Sequence, residues 1–107
     1  MSDPIVLVSV ARTPMGGMMG SLSGLAAHEL GSVAIKAAVE RAGIAADAVD
    51  EVIMGNVLQA GQGQAPARQA ALGAGLPKSA GCTTIHKVCG SGMKAAMFGH
   101  DLLLAGS

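Results

Sequence analysis

A cysteine set among small residues is the part of this sequence best suited to chemistry. Cys89 is followed by Gly-Ser-Gly (90–92), so little side-chain bulk surrounds its sulfur. Residues 83–88 have the β-branched composition of a strand, and residues 93–104 have the apolar spacing of a helix. At such a junction the free N–H groups and the positive end of the helix dipole favour a thiolate over a thiol. The arrangement predicts a nucleophilic cysteine.

The cysteines also have structural interpretations, which compete with the prediction of a nucleophile. Most single cysteines in apolar chains fill the core, and Cys82 is predicted to be such a core thiol. An extended strand would separate its sulfur from that of Cys89 by roughly 20 Å, too far for a shared catalytic role. The spacing of Cys82, His86 and Cys89 suggests a zinc site, but a strand would spread these ligands apart. We therefore predict no metal site.

Composition narrows the class of protein. Seven Lys and Arg balance seven Asp and Glu, and Phe98 is the only aromatic residue among 107, which argues against nucleic-acid binding. Charged residues make up 13%, about half the usual share, as expected of a chain that buries surface against a partner. There is no membrane-length apolar run and no disulfide framework. The polar start of the chain does not resemble a targeting peptide, so we expect a cytoplasmic protein.

Strand and helix patterns alternate along the chain. Strands are predicted over residues 5–10, 50–57 and 83–88. Helices are predicted over residues 26–42 and 67–74 and after Cys89, with loops over 15–24 and 58–64. Crossovers of this length favour parallel pairing, which predicts an α/β fold with a three-stranded, mostly parallel sheet.

The cysteine segment, KVCGSGMKA at residues 87–95, resembles the acyl-carrying motif of the thiolases, in the branch of the acetyl-CoA acetyltransferases. Further segments match this family in the same order: VSVARTP (8–14), HELG (28–31), EVIMGNV (51–57) and GQGQAPARQAA (61–71). Ketoacyl synthases and hydroxymethylglutaryl-CoA synthases also place a cysteine before a helix, but the local motif favours the acetoacetyl-CoA type.

The resemblance covers nearly all of this chain but only about the first quarter of a typical thiolase. It implies a five-layered α/β/α/β/α fold, of which residues 1–107 would be a partial N-terminal domain carrying the reactive cysteine. A sheet cut in this way would leave an unpaired edge.

By resemblance, Cys89 takes up the acetyl group and its backbone N–H contributes to the oxyanion hole. The reaction joins two acetyl-CoA molecules into acetoacetyl-CoA and CoA, or runs in reverse. The thioesters are substrates, and no cofactor or cofactor-binding residue is expected. The base and enolate donors of the family, a second cysteine, a histidine and an asparagine, fall outside this sequence. The family also implies a homodimer or homotetramer.

Other polar residues are given structural interpretations. His86 is expected to make a sheet or subunit contact, although it could orient a group near Cys89. His28 and His100 fall within predicted helices. Arg12 and Arg68 are expected to form ion pairs or to interact with helix dipoles.

One alternative belongs to a different functional class. Because the base and the CoA-binding parts are absent, the chain could be a truncated thiolase that only folds or associates. A 107-residue chain of this kind is expected to lack turnover alone, whereas a parent of ordinary thiolase length would restore the enzymatic function.

Overall fold

The computed structural model describes residues 3–107, in which helices and strands alternate. The elements in chain order are α1 (Ala27–Ala42), a 3-10 turn (Ala46–Ala48), β1 (Glu51–Gly55), α2 (Pro66–Gly73), β2 (Gly81–Ile85) and α3 (Ser91–Ala105). The predicted α/β class is confirmed, and all three predicted helices are present.

The sheet consists of two parallel strands, β1 and β2. Glu51 pairs with Gly81 and Gly55 with Ile85, so both strands end at the same edge of the sheet. The segment that carries Cys89 follows directly after β2 at this edge. Strand β2 ends earlier than predicted, at Ile85 rather than residue 88. The cysteine therefore follows a turn and not the strand itself.

The prediction of a third strand over residues 5–10 is wrong for the part of the chain that the structure describes. This segment has no regular secondary structure and belongs to no sheet, and its Leu7 is 88% exposed. It lies beside α3, where Ile5 and Leu7 line a cavity of about 540 Å³ together with Met97. An apolar run forms a strand only where a neighbouring backbone completes the hydrogen-bonded ladder, and neither β1 nor β2 does so here.

Helix α1 begins and ends at local backbone signals. The Ala26 N–H donates to the Glu29 carboxylate at 3.0 Å, which satisfies one of the free donors at the helix start. The Ala27 N–H donates to Gln62 Oε1 at 3.1 Å, so the loop after β1 also holds this end. Gly43 ends the helix with φ +72°, a left-handed conformation that glycine adopts without steric cost.

The core lies between α1, α2 and the sheet. Its buried cluster consists of Val52, Leu76 and Ala71, the last only 1% exposed. Small residues let the two helices approach closely, since a Cβ on Gly31 would lie 3.1 Å from the Ala70 Cβ. The core is therefore built from short aliphatic side chains, as the near-absence of aromatic residues predicts.

Helix α3 approaches the sheet most closely at its first residues, where a Cβ on Gly55 would lie 2.7 Å from the Ser91 Cβ. Its less exposed residues include Ala95, Gly99 and Leu102, which line a cavity together with Ile53 of β1. The apolar row of the sequence pattern runs through Met93, Met97 and Leu103 and is largely exposed, with Met93 70% exposed. Within residues 3–107, the N-terminal segment lies beside part of this row, since Ile5 and Leu7 line a cavity with Met97 and Leu103. No helix in the described range is long and apolar enough to cross a membrane.

Candidate active site

A tight turn places Cys89 between β2 and α3. The Gly90 N–H donates to the Lys87 carbonyl at 2.9 Å, and the Ser91 N–H donates to the Val88 carbonyl at 3.2 Å. The Lys94 N–H then donates to the Gly90 carbonyl at 2.9 Å, as the helix begins. Cys89 thus lies two residues before the first residue of α3.

The turn contains an unusual backbone conformation immediately before the cysteine. Val88 has φ +45°, a left-handed value that is rare for a β-branched residue. Such a conformation costs on the order of 1–3 kcal/mol and persists only where the surrounding structure holds it. The sequence pattern placed Val88 in a strand, so this strain could not be predicted from it.

The Ser91 hydroxyl holds the strained residue from both sides. Its Oγ accepts a hydrogen bond from the Lys87 N–H at 2.8 Å and donates one to the Val88 carbonyl at 2.6 Å. Ser91 is only 5% exposed, so its side chain points into the protein and not towards a substrate. The serine therefore supports the turn.

His86 adds a second contact to the same residue. Its Nδ1 lies 3.0 Å from the Val88 N–H, which donates to it. Because Nδ1 accepts this hydrogen bond, the bond requires the tautomer that carries its proton on Nε2. His86 lies just beyond the end of β2 and is exposed. The expected sheet contact is not formed, and the structure instead uses this side chain to orient the turn.

Gly55 allows the turn to sit directly against the end of β1. A Cβ at this position would lie 2.7 Å from the Ser91 Cβ and 2.9 Å from the Gly92 nitrogen. Only glycine leaves room for such close backbone approach. The end of β1 therefore sets the position of the first residues of α3.

The two cysteines have different environments. Cys89 is exposed, whereas Cys82 is half-buried in β2, and both thiols are free. The Cys82 Sγ lies 3.5 Å from the Ala80 carbonyl and packs beside Val52 of the core. The structure thus places Cys82 as the core thiol that the sequence predicted. Among residues 3–107, the Cys89 N–H donates to no backbone carbonyl.

The three residues of the zinc alternative do not form a cluster. Cys82 packs inside the sheet layer, His86 faces the Val88 amide and Cys89 is exposed. Within the described residues, no group of three or more His, Cys, Asp or Glu side chains could hold a metal ion.

The expectation that Arg68 forms an ion pair or interacts with a helix dipole is wrong in the described range. Arg68 of α2 donates to the Ala80 carbonyl at 2.9 Å and to the Lys78 carbonyl at 3.0 Å. These bonds tie α2 to the loop before β2, so the guanidinium holds backbone oxygens and forms no ion pair with a carboxylate in the described range. Arg12 is exposed in the N-terminal segment, which has no regular secondary structure.

The remaining histidines lie on helices, as expected. His28 is half-buried near the start of α1 and lines a cavity with Asn56. His100 is exposed on α3, with its Nδ1 3.3 Å from an oxygen of Asp101. In the structure of residues 3–107, neither is a partner of the Cys89 turn.

Sequence reasoning found Cys89 but missed the residues that hold it. Ser91 and Gly90 were noted only as small neighbours, and Gly55 was assigned only to a strand. The available signals were a serine at the first helical position and a glycine at the end of a buried strand. Neither signal identifies its partner, because the contact between Gly55 and Ser91 spans 36 residues of sequence.

Comparison with known proteins identifies the family. A family model described as the thiolase N-terminal domain matches residues 5–107. The chain belongs to the thiolase family. The resemblance of the cysteine segment and the four other motifs is thereby confirmed over almost the whole sequence.

Curated thiolase relatives are similar over nearly all of the chain. The mitochondrial acetyl-CoA acetyltransferase B of Xenopus laevis is 65% identical over 104 residues, which are 97% of this chain and 25% of the relative. The mitochondrial enzyme of Homo sapiens is 60% identical over 102 residues, or 95% of this chain and 24% of the relative. This chain therefore spans about a quarter of the length of these relatives.

A solved thiolase structure has the same fold. The crystal structure of Acat5 thiolase from Ascaris suum in complex with coenzyme A superposes with a TM-score of 0.91 at 42% sequence identity. The match covers 92% of this chain and 26% of that one. The α/β arrangement of this chain is thus that of an N-terminal thiolase segment.

The expected cytoplasmic location is wrong as an inference from this sequence. Vertebrate relatives at 60–65% identity are mitochondrial enzymes, and a relative from Gibberella zeae at 58% identity is cytosolic. The same domain occurs in both compartments, so its composition does not report where the protein resides.

Proposed function

We propose that this chain carries the acyl-accepting cysteine of an acetyl-CoA acetyltransferase. The reaction would join two acetyl-CoA molecules into acetoacetyl-CoA and CoA, and would run in reverse as thiolysis. The single observation that carries this proposal is the exposed Cys89 thiol on a turn held by Ser91 and His86. Identity of 60–65% to named acetyl-CoA acetyltransferases supports the choice of substrate.

In the first half-reaction the Cys89 thiolate attacks the carbonyl carbon of acetyl-CoA. A carbon–sulfur bond forms to Cys89, the bond to the CoA sulfur breaks, and CoA leaves as a thiolate that takes up a proton. A thiolate suits this step because it is both a nucleophile and a leaving group. The Cys89 N–H, which donates to no backbone carbonyl in the described chain, would donate to the developing oxyanion.

In the second half-reaction a base removes a proton from the methyl group of another acetyl-CoA. The resulting carbanion attacks the acetyl carbon on Cys89, and the cysteine leaves again as a thiolate. The cysteine, histidine and asparagine that the family resemblance implies for this step would come from outside residues 1–107.

The proposal extends to ligands and assembly. Acetyl-CoA, acetoacetyl-CoA and CoA would be the only small-molecule partners, without a separate cofactor. The coenzyme A complex of the Ascaris suum thiolase supports a CoA thioester as the ligand class. We propose a homodimer or homotetramer, which rests on the family resemblance and on the open apolar surface around Met93 and Leu103.

A second candidate is a chain that associates without catalysing turnover. The open face of α3 favours it, since Met93, Leu103 and Leu104 are exposed apolar side chains on one helix. The two candidates differ in one property. Only the enzyme forms acetoacetyl-CoA.

The test uses the natural polypeptide that carries this sequence. Its intact mass is recorded before and after incubation with acetyl-CoA, and the adduct is mapped by peptide analysis. We expect one acetyl group on Cys89 and formation of acetoacetyl-CoA. The Cys89→Ser variant is expected to lose the thioester adduct, whereas the matched Cys82→Ser variant retains it.

Each alternative outcome has a definite meaning. An acetyl thioester on Cys82, or one that persists in Cys89→Ala, would contradict the assignment of the nucleophile. A folded wild-type protein that acquires no acetyl group and makes no acetoacetyl-CoA would support the non-catalytic candidate.

A further inference from the structure

We propose that Ser91 is a positioning residue for acyl transfer, because its hydroxyl holds the Val88 backbone that sets the orientation of Cys89. This inference rests on the acetyl transfer proposed above. Ser91 does not touch the substrate in this assignment and acts through the backbone of the turn. Ser91 takes no part in the bond-making and bond-breaking steps described above, so its role would be to position Cys89 for them.

The first step of the argument is the pattern of hydrogen bonds. The Ser91 Oγ receives the Lys87 N–H and donates to the Val88 carbonyl. These two groups lie at opposite ends of the Lys87–Val88 dipeptide, so one hydroxyl fixes the rotations between them. Val88 is the residue with φ +45°, and it would otherwise relax towards the extended region.

The second step is the burial of the hydroxyl. Ser91 is 5% exposed, and Gly55 lies directly against its Cβ. Water has little access to the position of the Oγ and cannot readily replace it when the hydroxyl is removed. An alanine at position 91 would preserve the packing while removing both hydrogen bonds.

The third step connects the turn to the reaction. Cys89 follows Val88 directly, so a change in the Val88 backbone moves both the Cys89 thiol and its N–H. Acyl transfer needs the sulfur and the oxyanion donor aligned on one carbonyl, and a displacement of about 1 Å can slow such a step about 100-fold. Alkylation by a small unbound reagent has no comparable requirement.

The experiment compares two reactions of the same thiol in the natural polypeptide. Acetylation of Cys89 by acetyl-CoA is measured in a single turnover, and alkylation of Cys89 by iodoacetamide is measured separately. We expect Ser91→Ala to slow acetylation about 10- to 100-fold while alkylation changes little. Ser79→Ala, at an exposed loop position, is the matched control and should behave as wild type in both reactions.

A second variant tests the mechanism through the backbone. Glycine adopts a left-handed conformation without a supporting side chain. Adding Val88→Gly to Ser91→Ala should therefore recover part of the lost acetylation rate. Hydrogen exchange gives a readout without substrate, since the Lys87 amide should exchange faster once the Ser91 hydroxyl is gone.

The outcomes separate this inference from the proposed function. A wild-type protein that is alkylated but never acetylated contradicts the proposed function and, with it, a role for Ser91 in acyl transfer. If the wild type is acetylated and Ser91→Ala is acetylated equally fast, only the Ser91 assignment is wrong. Equal slowing of both reactions, together with a lower Tm, would reduce Ser91 to a structural residue and would also overturn the inference.

Discussion

Gly55 at the end of β1 lies in direct contact with Ser91 at the start of α3. A Cβ on Gly55 would come within 2.7 Å of the Ser91 Cβ and 2.8 Å of its carbonyl carbon. The contact joins the sheet to the turn that carries Cys89. The geometry of the candidate site therefore depends on a residue that has no side chain.

Replacement of Gly55 tests this contact. In Gly55→Ala the new methyl group meets backbone atoms that cannot rotate away, so α3 must shift from the sheet. We expect a loss of about 1–3 kcal/mol in the free energy of unfolding, together with slower acetylation of Cys89. Chemical denaturation and single-turnover labelling measure the two effects.

The matched control for Gly55→Ala lies within α3. A Cβ on Gly99 would meet nothing within 4 Å, and alanine is favoured over glycine in a helix interior by about 0.5–1 kcal/mol. Gly99→Ala should therefore be neutral or stabilising. If both variants lost the same free energy of unfolding, the loss in Gly55→Ala could not be attributed to the close contact between Gly55 and Ser91.

The different exposure of the two cysteines predicts selective alkylation. Cys89 is exposed, whereas Cys82 is half-buried beside the core. Iodoacetamide should modify Cys89 in the native protein and Cys82 only after denaturation, because a reagent reaches an exposed thiol more readily. Peptide mapping over time follows both sites. Labelling of both thiols at one rate in the native state would be inconsistent with this structure.

The carbonyl contacts of Arg68 predict a stability effect. Arg68→Met removes the bonds to the carbonyls of Ala80 and Lys78, and we expect a loss of about 1–3 kcal/mol in the free energy of unfolding. Arg68→Lys should recover only part of it, since an ammonium group does not reproduce the planar fork of donors.

Lys36→Met, at an exposed position on α1, is the control for the loss of one positive charge in the arginine experiment. The free energy of unfolding of Lys36→Met should remain near that of the wild type. If Arg68→Met unfolds at the same denaturant concentration as this control, the two carbonyl contacts contribute little.

The helices were well predicted because their signals are local. Helix α1 begins within one residue of its predicted start, and Gly43 ends it in a left-handed conformation, which glycine adopts without steric cost. Helix α2 begins at Pro66, since proline suits the first turn of a helix. These signals act over a few residues and require no knowledge of distant contacts.

The strands and packing faces were less predictable because they depend on partners. Residues 5–10 have the composition of a buried strand, but no described backbone pairs with them. The apolar row on α3 through Met93 and Met97 has helical spacing, but these two side chains are 70% and 48% exposed. The close approach to β1 is made instead by Ser91 and Gly92. An apolar pattern shows which side chains would gain stability from burial, but it does not identify the element that packs against them.

The sequence alone was sufficient to locate Cys89, the small residues around it and the α/β class, because residue type and local spacing carry these features. The left-handed Val88, the two hydrogen bonds of Ser91 and the contact with Gly55 emerged only from the folded chain. The contact with Gly55 joins segments 36 residues apart, whereas the hydrogen bonds of Ser91 span only three and four residues. The strain at Val88 persists only where the surrounding structure holds the backbone in place, and residue types and spacing alone do not show which contacts form.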